Sequence, residues 1–208
     1  MILNIDIIQE KLRDLNYPQA LSFCYLLSKK SFPNYALFSE FEEFGKPEVL
    51  YSSLVELRKH IAYNANEAKL QELMEMLLED EDIAPDTDDF PGNLAASLAL
   101  DSVGLLYHSF KFALTKKHES LCHVAKTSLN SVEMYFVVEN NIDQNLPRDE
   151  YNKIVNEAIV VQSELLQQSS LIEKIKSVGE TNNRIYTHIK INDSRLAEHS
   201  LYSNFIYA

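Results

Sequence analysis

The chain has 208 residues, enough for one domain, or one domain plus a tail, around a real core. Its net charge is −12, and its basic residues gather only in pairs such as Lys29-Lys30 and Lys116-Lys117, which argues against phosphate contacts to DNA or RNA and against an anionic membrane surface. Four Gly and six Pro are too few for the turns of an all-β fold, so long helical elements are expected.

In chain order, Ile5 to Leu15 predicts a short amphipathic helix, with Ile5, Ile8, Leu12 and Leu15 at helical spacing. Asn16 and Tyr17 are expected to break it. Pro18 then opens a second helix to about Lys30, because a missing N–H costs nothing at a first helical position. Pro33 and Asn34 start a third, dense in Tyr35, Leu37, Phe38, Phe41 and Phe44, with Gly45 as its left-handed C-cap. Pro47 to Tyr63 and Asn66 to Leu78 follow as amphipathic helices.

The stretch Glu79 to Lys117 organises the rest. It begins as an acidic loop, EDEDIAPDTDDFPGN, and becomes a helix capped by Asn93. From Asn93 to Thr115 nearly every position is apolar or small, so this helix is expected to be central and surrounded by neighbours. Asp101, His108 and Lys111 interrupt it, so it does not read as a membrane span. Ser97, Asp101, Gly104, His108 and Lys111 share one face, which either meets solvent or lines a polar seam.

His118 to Glu139 is the next helix, and Asn140 to Asn145 a turn. Pro147 to Val178 then predicts the longest helix. Its seam is Ile154, Ala158, Val161, Leu165, Gln168, Ile172 and Ile175, widened by Val155, Ile159 and Leu166, with Gly179 as the stop. In the tail, RIYTHIKI alternates like a strand, and a short helix is expected from Ser194 to Ser200. The tail is expected to pack on its own body or to pair with a second copy in a homodimer.

Three stretches resemble the YjaG-like family of uncharacterised bacterial proteins. They are FPNYALFSEFEEFGKPEVLYSSLVEL (Phe32 to Leu57), DTDDF entering an Ala/Leu-rich helix (Asp86 to Phe90), and AKTSLNSVEMY (Ala125 to Tyr135). The resemblance covers roughly the first 180 residues. It implies a small, all-helical, cytoplasmic protein and carries over no activity and no catalytic residue.

The residues offer few candidates for chemistry. Asp88 and Asp89 belong to a loop with many carboxylates, but no calcium-hand spacing of Gly and Glu fits it; a solvated linker favouring the following helix start is expected. His118, Cys122 and His123 are too few and wrongly spaced for zinc, although His118 and Cys122 can share a face. Glu-x-x-His, a Gly-rich phosphate loop and a nucleophile elbow are all missing from the sequence. Asp101 and His108, two turns apart, cannot form a direct dyad. If buried, Asp101 needs a donor, for which Lys126, Thr127 and Ser128 are considered. Cys24 and Cys122 read as reduced thiols, and the N-terminus lacks signal-peptide features, so a cytoplasmic location is expected.

Together these features predict a single-domain, all-α bundle of seven or eight helices over residues 1–181, with an extended or strand-like C-terminal extension at 182–208. The expected function is a non-enzymatic module binding an unknown protein partner or itself, with no cofactor, no metal, no nucleic acid and no membrane. The alternative is a ligand-binding or catalytic bundle with a polar site at Asp88, Asp89, Asp101 and His108. A pocket of about 300 Å³ or more at those groups would favour the alternative, and a closed network the interaction role.

Overall fold

The computed structural model describes residues 2–64 and 66–178, which form eight α-helices and no strand. They are α1 (Ile5–Leu12), α2 (Tyr17–Glu42), α3 (Pro47–Tyr63), α4 (Glu67–Glu79), α5 (Leu94–Thr115), α6 (His118–Glu139), α7 (Arg148–Glu157) and α8 (Ile159–Ser177). Asn4, Asn16, Asn66 and Asn93 cap α1, α2, α4 and α5, each accepting from a first-turn backbone N–H that would otherwise lack a partner. Gly179 and the tail elements expected from the sequence lie outside the described residues.

The bundle is assembled on α5. Its most extensive interface is with α2, its next with α6, and it also meets α3 and α4. Leu98, Ala99, Leu105, Leu106, Phe110 and Ala113 of α5 are buried against these neighbours. The α2–α5 interface carries small hydroxyls. Ser28 and Ser109 lie 3.0 Å apart, and the Ser102 hydroxyl lies 2.9 Å from the carbonyls of both Ser31 and Leu98, with one proton to share between them. Such residues let two helix backbones approach closely while each hydroxyl finds a nearby acceptor.

The helix count agrees with the sequence reading through two differences that offset each other. The second and third predicted helices are one. Tyr17 does not break the chain but starts α2, and Asn16 forms a capping box with Gln19. The helix then runs through Pro33, whose ring removes a hydrogen bond to the carbonyl four residues earlier. Packing outweighs that loss, because Ser28, Ser31, Asn34, Tyr35 and Phe38 continue one buried stripe across the proline. The helix ends at Glu42 with Glu43 left-handed (φ 52°), ahead of Gly45.

Conversely, the long C-terminal helix is broken at Ala158, which is extended (φ −61°, ψ 132°). Neither Gly nor Pro marks this place; the β-branched run Ile159-Val160-Val161 follows it. Gln162 stabilises the break. Its Nε2 donates to the Asn156 carbonyl at 2.7 Å, and it clasps Leu3 through both backbone groups, at 3.0 and 2.9 Å. The seam holds from Ala158 to Ile175, but Val155 replaces Ile154 at its start. Ile159 and Leu166, expected to widen it, are 87% and 58% exposed.

Candidate functional site

The polar face of α5 is half-buried. It lies along α6, and the two helices run antiparallel in a fixed register. Asp101 meets Ser131, a Cβ on Gly104 would touch Thr127 at 4.0 Å, and His108 stacks on His123 with ring centroids 4.6 Å apart. The donor to Asp101 is therefore Ser131, at 2.6 Å, rather than Lys126, Thr127 or Ser128. Only the helix register, which the sequence does not state, selects it.

Burial pushes the Asp101 carboxyl up to about 6, against a smaller downward pull from Ser131. The Ser131 hydroxyl also lies 3.0 Å from the Thr127 carbonyl, and it has one proton for two acceptors. A protonated Asp101 resolves this: the acid donates to Ser131, and Ser131 donates to Thr127. His108 moves the other way, down to about 4, through burial first and then the His123 and Lys111 charges. Its Nδ1 is buried without a partner among the described residues.

A second polar centre escaped the sequence reading. Glu164 of α8 is buried and pairs with Lys30 of α2, which also reaches Gln167 at 3.1 Å. Its other oxygen accepts from Ser128 of α6 at 2.8 Å and from Gln168 at 2.9 Å, and Gln168 also donates to the Ala125 carbonyl at 3.1 Å. Three helices thus close on one carboxylate, which a buried charge requires. Gln168 stood out in the apolar seam, but Glu164 looked like any surface glutamate beside Leu165. Beside this centre is a cavity of about 20 Å³ lined by Lys30, Asn34, Ser128 and Ser131. That is room for one water.

The loop acids are not brought to this seam. Asp88 and Asp89 are exposed in a turn of their own, where Asp86 accepts from the Asp88 N–H at 3.0 Å. The first turn of α5 contains no acid, and its cap is Asn93. The loop is pinned at both ends. Tyr35 donates to the Ile83 carbonyl at 2.7 Å and accepts from the Lys46 N–H at 2.9 Å. Lys46 in turn pairs with Asp80 at 2.8 Å and Asp82 at 3.2 Å, which lowers the Asp80 carboxyl. At the far end Phe90 packs edge-on against Phe38 and Phe44 at 5.1 and 5.5 Å. Gly45 is required beside Tyr35: its φ is +96°, and a Cβ there would lie 2.5 Å from the tyrosine oxygen.

His118 and Cys122 do share a face, with Sγ 3.1 Å from Nδ1. Burial raises the Cys122 thiol, and burial raises Cys24 further. Among the described residues, no group of three or more His, Cys, Asp or Glu is placed to hold a metal ion. Nor is any helix of the described residues long and apolar enough to cross a membrane. A different concavity, an open groove of about 590 Å³, lies between the C-terminal half of α6 and the start of α7, and none of the four candidate residues lines it.

Comparison with known proteins places this arrangement. A sequence model described as "Protein of unknown function (DUF416)" matches residues 7–200. The fold is similar to the crystal structure, at 1.91 Å resolution, of a DUF416 family protein from Shewanella baltica OS155. The TM-score is 0.77 at 25% sequence identity, covering 90% of this chain and 93% of that one. No curated protein matches.

Proposed function

We propose, for a chain that belongs to the DUF416 family of proteins of unknown function, a non-enzymatic role as a protein-interaction or self-associating module. Closure of its two interior carboxylates, Asp101 and Glu164, carries this reading. Asp101 is held by Ser131, Glu164 by Lys30, Ser128 and Gln168, and the cavity beside them admits one water. A bundle built to bind a substrate at Asp101 and His108 needs a concavity there many times larger. What remains open faces outward, including Ile159 and Leu166 on one side of α8.

Within the family, the YjaG-like likeness rests on the stretches from Phe32, from Asp86 and from Ala125. Tyr35, Gly45, Lys46 and Phe90 in them pin the acidic loop, which suits a scaffold. The proposal takes residues 1–181 as the helical domain and 182–208 as an extension available for pairing. It places the protein in the cytoplasm and, from its charge, gives it protein partners rather than nucleic acid or membranes.

Two measurements test it. Affinity capture from the native host with the full chain is expected to retain a partner. Light scattering on the full chain and on a chain truncated after Glu180 is expected to show a dimer only when the tail is present, if the partner is a second copy. A chain that captures nothing and is monomeric in both forms refutes the proposal.

A further inference from the structure

Carboxylates that leave bulk solvent in this fold have donors, with one exception. Among the described residues five carboxylates are buried or half-buried: Glu56, Asp80, Asp101, Glu133 and Glu164. Glu56 pairs with Lys59, Asp80 with Lys46, Asp101 with Ser131, and Glu164 with Lys30. Glu133 is half-buried and has no such donor among the described residues; burial alone acts on it and raises its carboxyl. A partly desolvated carboxylate without a donor is costly to keep ionised.

Glu133 lines the open groove of about 590 Å³, whose walls include Met134, Val137, Leu146 and Tyr151, with Arg148 exposed. That volume suits a ligand of a few residues, and a lining that is half apolar and half polar, with Asn130, Gln144 and Asn152 beside the charges, is how such sites set orientation. Arg148 lies in the same groove, but no cation of the described residues is paired with Glu133.

We propose that this groove receives a partner's peptide segment in which one Lys or Arg reaches Glu133 while a neighbouring apolar side chain lies against Met134, Val137 and Tyr151. Arg148 repels a second cation, so the segment carries a single basic residue and not a polybasic tract. The chain's charge of −12 favours approach of such a partner. This inference rests on the interaction role and names the chemistry of the partner.

The test uses the full chain with ¹³C-methyl methionine, whose four residues leave Met134 resolvable. The probes are acetyl-Leu-Lys-Leu-amide and the same peptide with acetyl-lysine. The lysine peptide is expected to shift the Met134 methyl saturably, and acetylation or Glu133→Gln to weaken binding by about tenfold or more. Equal shifts with both peptides, or none with the lysine peptide at millimolar concentration, overturn the proposal. So does a Met134 shift without peptide that follows protein concentration, which puts a second copy in the groove. A peptide-free change on Arg184→Ala or Lys190→Ala assigns the groove to the chain's own tail and overturns it too. Host capture separates the two levels: a partner retained equally by Glu133→Gln ends the groove proposal and leaves the interaction role standing.

Discussion

Replacing Asp101 with Asn should stabilise the protein more at alkaline pH than at acid pH. Asp101 is held 2.6 Å from Ser131 in the α5–α6 seam, and burial pushes its carboxyl from the ordinary 3.8 to about 6. The folded protein therefore holds this proton more tightly than the unfolded chain does. The resulting stability is present in full below the unfolded value and is lost as pH rises through about 6. At 1.36 kcal/mol per pH unit, the separation corresponds to at most about 3 kcal/mol of cost at pH 8. Residual contact with water reduces this to about 1–2 kcal/mol. Asparagine keeps an acceptor for Ser131 and carries no charge, so it removes the cost. Urea denaturation at pH 4.5 and pH 8 measures the difference. A variant less stable than the parent at pH 8, or a gain equal at both values, refutes the reasoning. His108 has the opposite sign: its folded pKa is depressed to about 4, so stability falls as pH drops from its ordinary 6.5 towards 4. Between those limits the two groups oppose each other, and Asp101→Asn should expose the loss due to His108.

Leu98→Ala, at a fully buried position of the central helix, should cost about 2–5 kcal/mol in urea denaturation; a loss below about 0.5 kcal/mol would mean that α5 does not centre the fold. Gly45→Ala should cost about 2–3 kcal/mol, since it forces a side chain to φ +96° and into Tyr35; unchanged stability would sink the account of the loop anchor. Ca²⁺ and Mg²⁺ at millimolar concentration should leave the melting temperature unchanged. A rise of several degrees, lost on joint replacement of Asp88 and Asp89 by Ala, would make the loop a cation site.

Periodicity made α3, α4, α5 and α6 legible because each buries one stripe and is punctuated by Asn, Pro or a turn. Pro33 and Ala158 misled for one reason: tertiary packing decided against the local signal. A proline normally marks a boundary, but the stripe from Ser28 to Phe38 is buried on both sides of it. Alanine normally continues a helix, but Gln162 and Leu3 supply partners to a break that only the folded chain can provide. The candidate seam was half legible. The spacing of Asp101 and His108 placed them on one face, but Ser131 and His123 follow from the α5–α6 register. Glu164 gave no signal, because a buried glutamate differs from a surface one only by the neighbours that arrive from α2 and α6.

The clasp between Gln162 and Leu3 also bears on the order of assembly. Residues 159 apart in sequence meet there, and Lys11 with Glu173 and Asp14 with Lys176 repeat the join further along. Helices α2 to α6 meet one another more extensively than they meet either terminal helix, whereas α1 meets only α6 and α8 extensively. Closing so long a loop is rewarded only after the middle of the chain has formed. The two outer helices are therefore expected to dock late as one unit and to open together. Hydrogen exchange is expected to find the slowest amides in α2 and α5, and a lower, shared threshold of local opening in the joined outer pair.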